Sequence, residues 1–451
     1  MTRVKTISPI DGSLVVERPY TNFEAATNAV EQAVTAQKKW QLVPVAQRVS
    51  LLEKAVDYLE ANKADLAREI TLQMGRPTSQ TPWEIDGTAY RARHMLAAAE
   101  EALLGRQEAA PEGRSYTIHR QALGVVFAIT PWNYPYLTSV NTLIPALAAG
   151  NAVVLKPSPQ TPLVGERFVD AFEAAGLPAG LFTCLHLSPE SAEQLIAGGD
   201  INHVAFTGSV KNGKAVERSA AGRFLSVGLE LGGKDAAYVR ADADIDNAVA
   251  NLVDGAFFNS GQSCCGIERI YLAAPVYDTF VAAYVAATKA YRLGDPQEEG
   301  ITLGPVVSIA AADRIRAAIK GACSAGAKAL IDESLFPVAT EGTAYVAPQV
   351  LVDVNHDMAF MTEETFGPCV GIMRVENDEE AISLVNDSPY GLTASVWTSD
   401  DDAGYRIAEQ FDVGTVFLNR CDALEPALAW TGVKNSGRGC TLSAYGYDAV
   451  T

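Results

Sequence analysis

Two adjacent cysteines, Cys264 and Cys265, end the stretch GQSCC. A disulfide needs a larger separation between the two Cα atoms than one peptide bond allows without strain, so we expect both thiols to be free. A thiolate adds readily to a carbonyl carbon, and even an ordinary cysteine is partly ionised near neutral pH. The pair therefore raises the possibility of covalent catalysis, although a buried and inert thiol is the commoner fate of a cysteine.

Two further residues are of types that could assist such a nucleophile. Glu230 stands between two leucines in LELGGK, and a carboxylate in apolar surroundings has a raised pKa that suits a general base near neutral pH. Asn133, in PWNYP, could donate a hydrogen bond to a developing negative charge, but an asparagine in a loop is usually a turn former. Residue type alone leaves a structural and a catalytic role open for both.

The hydrophobic pattern predicts the elements that position these residues. Residues 22–105 show helical periodicity, whereas Leu123 to Gly233 alternates strands with helices, as in a parallel sheet with crossover helices. Such sheets bind ligands beyond the carboxyl ends of their strands. The residues that should meet at this edge are Trp132, Asn133, Lys156, Gly208 and Ser209. A second α/β domain is predicted to begin near Gly232.

The turn FTGSVKNGKAV and the segment SYTIHRQAL are weaker signals. The turn joins a strand to a helix, and its free N–H groups suit a phosphate, although its glycines do not form the G-x-G-x-x-G fingerprint.

SYTIHRQAL alternates like a strand between Gly105 and Gly124, and a lone strand must find a neighbour in this chain or in another subunit.

Length, charge and cysteine content limit the domain number, the partners and the compartment that can be expected. The 451 residues predict two or three domains, and the net charge of −19 disfavours nucleic acid and anionic membranes as partners. No apolar run is long enough to span a bilayer, and MTRVKTISPIDGS has no apolar signal core. Seven scattered cysteines indicate free thiols in a reducing cytoplasm. Isolated histidines, without CxxC or HExxH, predict that no metal is bound.

Seven segments occur together in one order: PWNYP at Pro131, PALAAGNAVVLKPS at Pro145, FTGS at Phe206, ELGGK at Glu230, GQSCC at Gly261, EETFGP at Glu363 and TGVKNSGRG at Thr431. In this order they resemble the NAD(P)-dependent aldehyde dehydrogenase superfamily, and they span most of the chain. The resemblance implies an α/β fold with a Rossmann-type cofactor domain, an α/β catalytic domain and a small β bridging element that joins subunits.

The resemblance also implies domain limits. Residues 1–104 and 124–231 would form the NAD(P)-binding domain, residues 232–432 the catalytic domain, and residues 105–123 and 433–451 the bridging element. A bridging strand would supply the neighbour that SYTIHRQAL lacks. We therefore expect a homodimer or homotetramer that acts on a small-molecule aldehyde.

Catalytic roles follow from the same motifs. Cys264 resembles the family's nucleophile, and Cys265 is interpreted as a small packing residue. Asn133 and the backbone N–H of Cys264 resemble the donors that stabilise the alkoxide formed by thiolate attack. Glu230 resembles the base that activates water to hydrolyse the thioester left after hydride transfer. Relatives that transfer the acyl group to CoA generally lack this glutamate, so its presence favours a carboxylic acid product.

The cofactor, NAD or NADP, would contact a larger set of residues. By resemblance these are Ile129, Trp132, Lys156, Ser158, Gly208, Ser209, Leu231, Glu364 and Phe366. NAD-preferring relatives often carry a glutamate where this chain has Pro159, and proline has neither an acceptor for ribose hydroxyls nor a charge that repels a 2′-phosphate. NADP is therefore permitted and NAD is not excluded. Thr142 and Thr441 replace a lysine and a glutamate that many relatives use to relay protons, so the proton of Glu230 needs another route.

The predicted substrate pocket is mostly apolar or neutral, which suits an aliphatic or aromatic aldehyde of modest size. Its residues are Tyr134, Thr138, Asn141, Phe258, Asp422, Leu424 and Trp430. Arg420 could pair with a carboxylated semialdehyde, or with Asp422 as a structural ion pair. Two alternatives to an acid-forming dehydrogenase remain: a catalytically silent relative, and a CoA-acylating enzyme that Glu230 disfavours.

Overall fold

The structure, a computed structural model, describes residues 3–451. Its helices are α1 (Phe23–Trp40), α2 (Val45–Ala61), α3 (Lys63–Met74), α4 (Thr81–Ala102), α5 (Pro135–Ala149), α6 (Pro162–Ala174), α7 (Pro189–Gly198), α8 (Val210–Ala220), α9 (Ile245–Phe257), α10 (Tyr277–Lys289), α11 (Ile309–Ser324), α12 (Ala359–Thr362), α13 (Asp378–Asn386), α14 (Asp401–Ala408) and α15 (Tyr445–Asp448). The helical pattern of residues 22–105 is confirmed, although α2 and α3 are separate helices that meet at Asn62.

The strands are short, as is usual for a doubly wound protein. They are β1 (Arg3–Ile7), β2 (Leu14–Pro19), β3 (Arg106–Glu108), β4 (Tyr116–Ile118), β5 (Val125–Ile129), β6 (Ala152–Lys156), β7 (Phe182–Cys184), β8 (His203–Thr207), β9 (Ser226–Glu230), β10 (Asp235–Val239), β11 (Ile267–Ala273), β12 (Lys328–Ala329), β13 (Gln349–Val352), β14 (Cys369–Val375), β15 (Tyr390–Gly391), β16 (Thr393–Trp397), β17 (Thr415–Leu418), β18 (Val433–Lys434) and β19 (Gly437–Arg438).

Two largely parallel sheets organise the chain. The first has the order β19-β9-β8-β5-β6-β7, and only the β19–β9 pair in it is antiparallel. The second has the order β12-β13-β14-β11-β10-β16-β17, and only the β12–β13 pair is antiparallel. The predicted alternation of strands and helices between Leu123 and Gly233 is thus confirmed, and a second parallel sheet follows it.

The central strands are buried because both faces of each sheet are covered. Every residue of β6 is buried, as is every residue of β10 and β11. Helices α1 to α6 pack around the first sheet in one apolar core, and α9 and α10 pack on the second. The two sheets therefore form separate cores, joined where β9 leads into β10.

The segment SYTIHRQAL contributes β4, which pairs with β3 as a two-stranded antiparallel hairpin. The strand therefore has a partner within the chain, but Tyr116 and Ile118 on it stay exposed at 43% and 52%. Residues 433–451 lie against the first sheet: β19 pairs with β9, and the hydroxyl of Tyr447 donates to the carbonyl of Met95 at 2.6 Å. Whether either segment bridges subunits stays a prediction.

Candidate active site

Cys264 lies in a turn between a short 3₁₀ segment, Phe258–Gly261, and β11. This turn is fixed by close backbone packing: a Cβ on Gly261 would lie 2.2 Å from the carbonyl oxygen of Gly367, and a Cβ on Gly233 would lie 2.6 Å from that of Cys264. Glycine is therefore required at both positions. The second contact places Cys264 against the ELGGK segment that begins with Glu230.

The two adjacent thiols have different environments. Cys264 is half-buried, whereas Cys265 is only 3% exposed and its Sγ donates to Oδ1 of Asp422 at 2.8 Å. The hydrogen bond with Cys264, together with burial and the charge of Asp422, raises the pKa of the Cys265 thiol well above its usual value. Cys265 therefore stays protonated, which agrees with its interpretation as a packing residue.

Glu230 ends β9, beside the Cys264 turn. Its carboxylate accepts hydrogen bonds from the hydroxyls of Thr207, at 3.1 Å, and of Thr441. Loss of solvation raises its pKa, while the two hydroxyls and the charge of Arg91 act in the opposite direction. The balance leaves the pKa above that of an ordinary glutamate, which is the property that a base near neutral pH needs.

Asn133 follows β5 and is almost fully buried, at 5% exposure. Its Nδ2 donates to the carbonyl of Gln262 at 3.2 Å, two residues before Cys264, so the predicted alkoxide donor lies beside the nucleophile's turn. Its own carbonyl accepts from Nδ2 of Asn259 at 3.2 Å and from Nη2 of Arg76. The loop is thus held from two sides.

Sequence reasoning missed the buried ion pair that supports this loop. Nη1 of Arg76 donates to Oε2 of Glu84 at 2.6 Å, and both side chains are fully buried. The other carboxylate oxygen of Glu84 accepts from the N–H groups of Tyr136 and Leu137 at 2.8 and 3.2 Å, in the first turn of α5. A negative charge is favourable at a helix N-terminus, so Glu84 fixes where α5 begins. The pattern of α4 gave no sign of this pair.

The predicted cofactor residues of the first sheet lie along one edge. Ile129 is level with Lys156 in β6 and with Phe206 in β8, and Thr207 is level with Glu230 in β9. Trp132, Ser158, Gly208, Ser209 and Leu231 follow the ends of these strands. Because parallel strands align their carboxyl ends, all of them meet at the edge where such sheets bind ligands.

This edge fits an anionic dinucleotide. Lys156 is 8% exposed and forms no ion pair among residues 3–451, and burial lowers its pKa to about 8. Ser209 is the N-cap of α8, an eleven-residue helix, and its hydroxyl accepts from the N–H of Asn212. The unpaired ammonium group and the helix N-terminus together provide a site for hydroxyl and phosphate groups.

Glu364 and Phe366 come from the second sheet's side and meet the same edge. The ring of Phe366 packs edge-on against Trp132, with ring centroids 5.7 Å apart. Glu364 Oε1 accepts from the N–H of Gly233 at 3.0 Å, and burial with the nearby charge of Glu268 raises its pKa to about 8. The two residues therefore contact Gly233 and Trp132, which follow the carboxyl ends of strands in the first sheet.

A second buried ion pair, also missed from the sequence, holds the EETFGP loop. Nζ of Lys234 donates to Oε2 of Glu268, which also accepts from the N–H of Thr365 at 2.9 Å. The N–H of Phe366 donates to the other oxygen of Glu268 at 2.9 Å, in a residue whose φ is +55°. One carboxylate thus fixes the loop that carries Glu364.

Replacement of Glu268 by alanine should destabilise the protein by about 3–5 kcal/mol, because Lys234 and two loop N–H groups lose their acceptor in a buried place. Thermal unfolding would measure the loss. The matched control is Lys63→Met, which breaks an exposed pair with Asp86 and should cost less than about 1 kcal/mol. Equal losses from the two variants would contradict the assignment.

The predicted substrate residues fall into two groups. Tyr134 and Phe258 both pack edge-on against Trp83, with centroids 6.5 and 5.7 Å apart, and Asp422 joins them through Cys265. Burial raises the pKa of Asp422 to about 7. Asn141 and Trp430 instead line a cavity of about 320 Å³ that includes Glu230, Thr142 and Thr441.

Thr138, Leu424 and Arg420, the other residues considered for the substrate pocket, have the following surroundings. The hydroxyl of Thr138 donates to the carbonyl of Tyr134 at 2.7 Å within α5, and Leu424 packs against the first apolar core. Arg420 is exposed and forms no ion pair among residues 3–451, whereas Asp422 bonds to Cys265. The structural Arg420–Asp422 pair is therefore not formed. Trp83, which sequence reasoning missed, is 53% exposed at the edge of the aromatic group.

Residues 1–451 match the aldehyde dehydrogenase family. A 2-hydroxymuconic semialdehyde dehydrogenase of Pseudomonas sp. (strain CF600) is 33% identical over 448 residues, which cover 96% of this chain and 91% of that protein. The structure resembles an NADP-dependent glyceraldehyde-3-phosphate dehydrogenase of Bacillus halodurans C-125, complexed with NADP, with 32% identity and a TM-score of 0.93 over 99% of this chain and 94% of that one. It also resembles an NAD-dependent aldehyde dehydrogenase of Sinorhizobium meliloti, with 30% identity and a TM-score of 0.95. The match covers 99% of this chain and 90% of that one.

The chain therefore belongs to the aldehyde dehydrogenase family. This confirms the resemblance, the α/β fold and the enzyme class, an NAD(P)-dependent aldehyde dehydrogenase that takes NAD or NADP and an aldehyde. Within residues 3–451, no helix combines the length and apolar character that crossing a bilayer requires.

Proposed function

We propose that this chain oxidises an aldehyde to a carboxylic acid through a thiohemiacetal and a thioester on Cys264, which is hydrolysed by water that Glu230 activates. The observation that carries the proposal is the contact of Gly233 with the Cys264 carbonyl. This contact supports the proposal because it brings the turn that carries Cys264 against the segment that follows β9, three residues after Glu230.

Attack begins at the sulfur of Cys264. The thiolate forms a C–S bond to the aldehyde carbon, and the carbonyl electron pair moves to oxygen as an alkoxide. Asn133 Nδ2 and the N–H of Cys264 are the donors for this charge, and one such donor is typically worth about 3 kcal/mol of barrier. Bound NAD(P)+ supplies the hydride acceptor, after which Cys264 holds a thioester.

Hydrolysis then regenerates the thiol. The carboxylate of Glu230 accepts a proton from water as the water oxygen attacks the thioester carbon, the C–S bond breaks, and the carboxylic acid leaves. Thr207 and Thr441 hold the carboxylate by its two oxygens. The cavity of about 320 Å³ behind Glu230 offers space for the water through which its proton leaves.

The substrate proposed is a neutral aldehyde of modest size. Tyr134, Phe258 and Trp83 offer aromatic surface, and none of these three side chains carries a positive charge that would bind a carboxylated substrate. A semialdehyde is the second candidate, because the Pseudomonas relative is a semialdehyde dehydrogenase. We also propose a homodimer or homotetramer, in which the exposed β3–β4 hairpin contacts another subunit.

The test is an aldehyde panel measured with NAD and NADP side by side, by absorbance of the reduced nicotinamide. The panel should include propanal, benzaldehyde and succinic semialdehyde. Reduction that depends on aldehyde and yields free acid without CoA supports the proposal. No turnover with any aldehyde would favour a catalytically silent relative, and a rate that depends on CoA would favour an acylating enzyme.

Pro159→Glu should lower kcat/KM with NADP about tenfold or more relative to NAD. The new carboxylate would stand three residues after Lys156 and repel a 2′-phosphate while offering an acceptor to ribose hydroxyls. Pro159 is exposed, and only its carbonyl is engaged, by Thr6 at 2.9 Å, so the fold should tolerate the change. Pro159→Gln is the uncharged control. An unchanged ratio would mean that the ribose lies elsewhere.

A further inference from the structure

Arg91, in the middle of α4, is a buried cation without a carboxylate partner. It is 6% exposed, and its Nη1 donates to the carbonyl of Leu137 and to Oδ1 of Asn141, both at 3.0 Å. Both acceptors are uncharged, and Arg91 forms no ion pair among residues 3–451. Burial lowers its pKa to about 10, so the guanidinium is still charged at neutral pH. Such a charge is costly to bury unless something compensates it.

Glu84, the buried carboxylate of α4, and the α2 carboxylates Asp57 and Glu60 already have partners. On α4 itself Glu84 is bound by Arg76, and between α4 and α2 the exposed Arg93 is paired with Asp57 and Glu60. The segment of α5 that contacts Arg91 carries no acid or base. The remaining ionisable groups that its charge influences are Glu230, Cys265 and Cys264. Asn141, which accepts a hydrogen bond from Arg91, also lines the cavity that contains Glu230, so one residue links the guanidinium to this cavity.

Within residues 3–451, Glu230 forms no ion pair. Its direct partners, Thr207 and Thr441, are neutral, and burial raises the pKa of the adjacent Cys440 thiol, which therefore stays neutral too. The other charged or titratable side chains of the cavity are engaged elsewhere: Arg438 with Glu217 at 2.6 Å, Asp448 with Arg120, and His203 with Ser226 at 2.6 Å. Of the described arginines that line this cavity or bond to its lining, Arg91 is the one without an acidic partner.

We propose that Arg91 is a positioning residue for thioester hydrolysis, whose buried charge keeps the Glu230 carboxylate ionised and able to accept a proton from water. It acts through Glu230 and through Asn141, which lines the same cavity and is held by Arg91. Arg91 itself does not line that cavity, so it is not placed to bind a substrate carboxylate there. This inference rests on the proposed function.

The test compares Arg91→Gln, which keeps N–H donors without charge, with Arg91→Lys, which keeps the charge. p-Nitrophenyl acetate serves as a probe that acylates Cys264 without coenzyme: a burst of nitrophenolate reports acylation, and the steady rate reports hydrolysis of the acyl-enzyme. Hydrolysis requires ionised Glu230, so its rate rises as pH rises through the pKa of Glu230. In R91Q this rising limb of the pH–rate profile should move to higher pH by about one unit. At a pH on the rising limb, hydrolysis should therefore be about tenfold slower than in the wild type.

R91K should keep the limb within about a third of a pH unit of wild type, because the charge is retained. The matched control is Arg93→Gln, two positions along α4, which removes an exposed charge and should leave the profile unchanged. Thermal unfolding checks that each variant is folded. If R91Q does not fold, R91K alone decides, because a limb displaced by a full unit despite the retained charge overturns the proposal.

Two other outcomes also overturn it. Equal slowing of hydrolysis in R91Q and R91K, with no displacement of the pH–rate profile in either variant, would mean that Arg91 acts only by packing around Asn141. A rise in KM for succinic semialdehyde but not for propanal would mean that Arg91 reads a substrate carboxylate. If the wild-type protein reduces neither coenzyme with any aldehyde, the proposed function fails, which is a result distinct from these.

Discussion

Replacement of Cys264 by alanine should lower aldehyde oxidation by at least about 10³-fold, because it removes the thiol that forms the covalent bond to the substrate. The half-buried Cys264 is the thiol that an aldehyde can reach, whereas Cys265 is buried and donates to Asp422. The loss should appear in kcat, while coenzyme binding, followed by nicotinamide fluorescence, should persist. Both quantities can be measured on the same preparation.

Cys265→Ser is the control for this substitution. The hydroxyl of serine can still donate to Oδ1 of Asp422, so the packing of the turn is kept and the variant should retain most of its activity. Mass spectrometry after reaction with iodoacetamide gives an independent readout, since Cys264 should be alkylated first. If Cys265→Ser abolishes turnover and Cys264→Ala does not, the nucleophile has been assigned to the wrong thiol.

The residues that the sequence placed well are those whose position follows from local rules. The strands β5, β6 and β8 are continuous apolar runs, so their ends could be read directly, and with them Ile129, Lys156 and Gly208. Parallel pairing then dictates that these ends lie along one edge. The helices α1 to α4 likewise followed from their apolar periodicity.

The supporting ion pairs could not be predicted in the same way. Arg76 and Glu84 are eight residues apart and lie on either side of a turn, while Lys234 immediately precedes β10 and Glu268 lies in β11. Nothing in a single sequence distinguishes a buried charged side chain on an amphipathic helix from an exposed one. Arg91 and Arg93 illustrate the difficulty, because one is buried beside α5 and the other is exposed on the same helix.

The loop geometry also depends on contacts that the chain order hides. Asn259 and Ser260 adopt φ values of +54° and +55°, which are uncommon for residues other than glycine. They are held because Asn259 donates to Gln262 and to Asn133, and Ser260 donates to Gly304 at 2.9 Å. Gln262 is a local partner, but Asn133 and Gly304 are distant in sequence, so the turn that presents Cys264 also depends on tertiary contacts.

Replacement of Glu230 by glutamine should separate the two halves of the reaction. The amide keeps the size of the side chain but cannot accept the proton of water, so hydrolysis of the thioester should slow by about 10²–10³-fold. Hydride transfer does not need this base and should proceed at close to its normal rate. Rapid mixing with aldehyde and coenzyme should therefore show a burst of reduced nicotinamide, close to one equivalent per active site, followed by a slow steady rate.

The wild-type protein is the reference, because the same mixing shows whether it has a burst of its own. Thr441→Val tests the neighbour: it removes one hydroxyl that lowers the pKa of Glu230, so the pH limb of hydrolysis should move upward while the base is retained. Equal slowing of the burst and the steady rate in Glu230→Gln would assign this residue to an earlier step. A burst that appears only in Glu230→Gln means that the carboxylate at the end of β9 acts after the hydride has left, which agrees with its place on the cavity of about 320 Å³ that offers space for water.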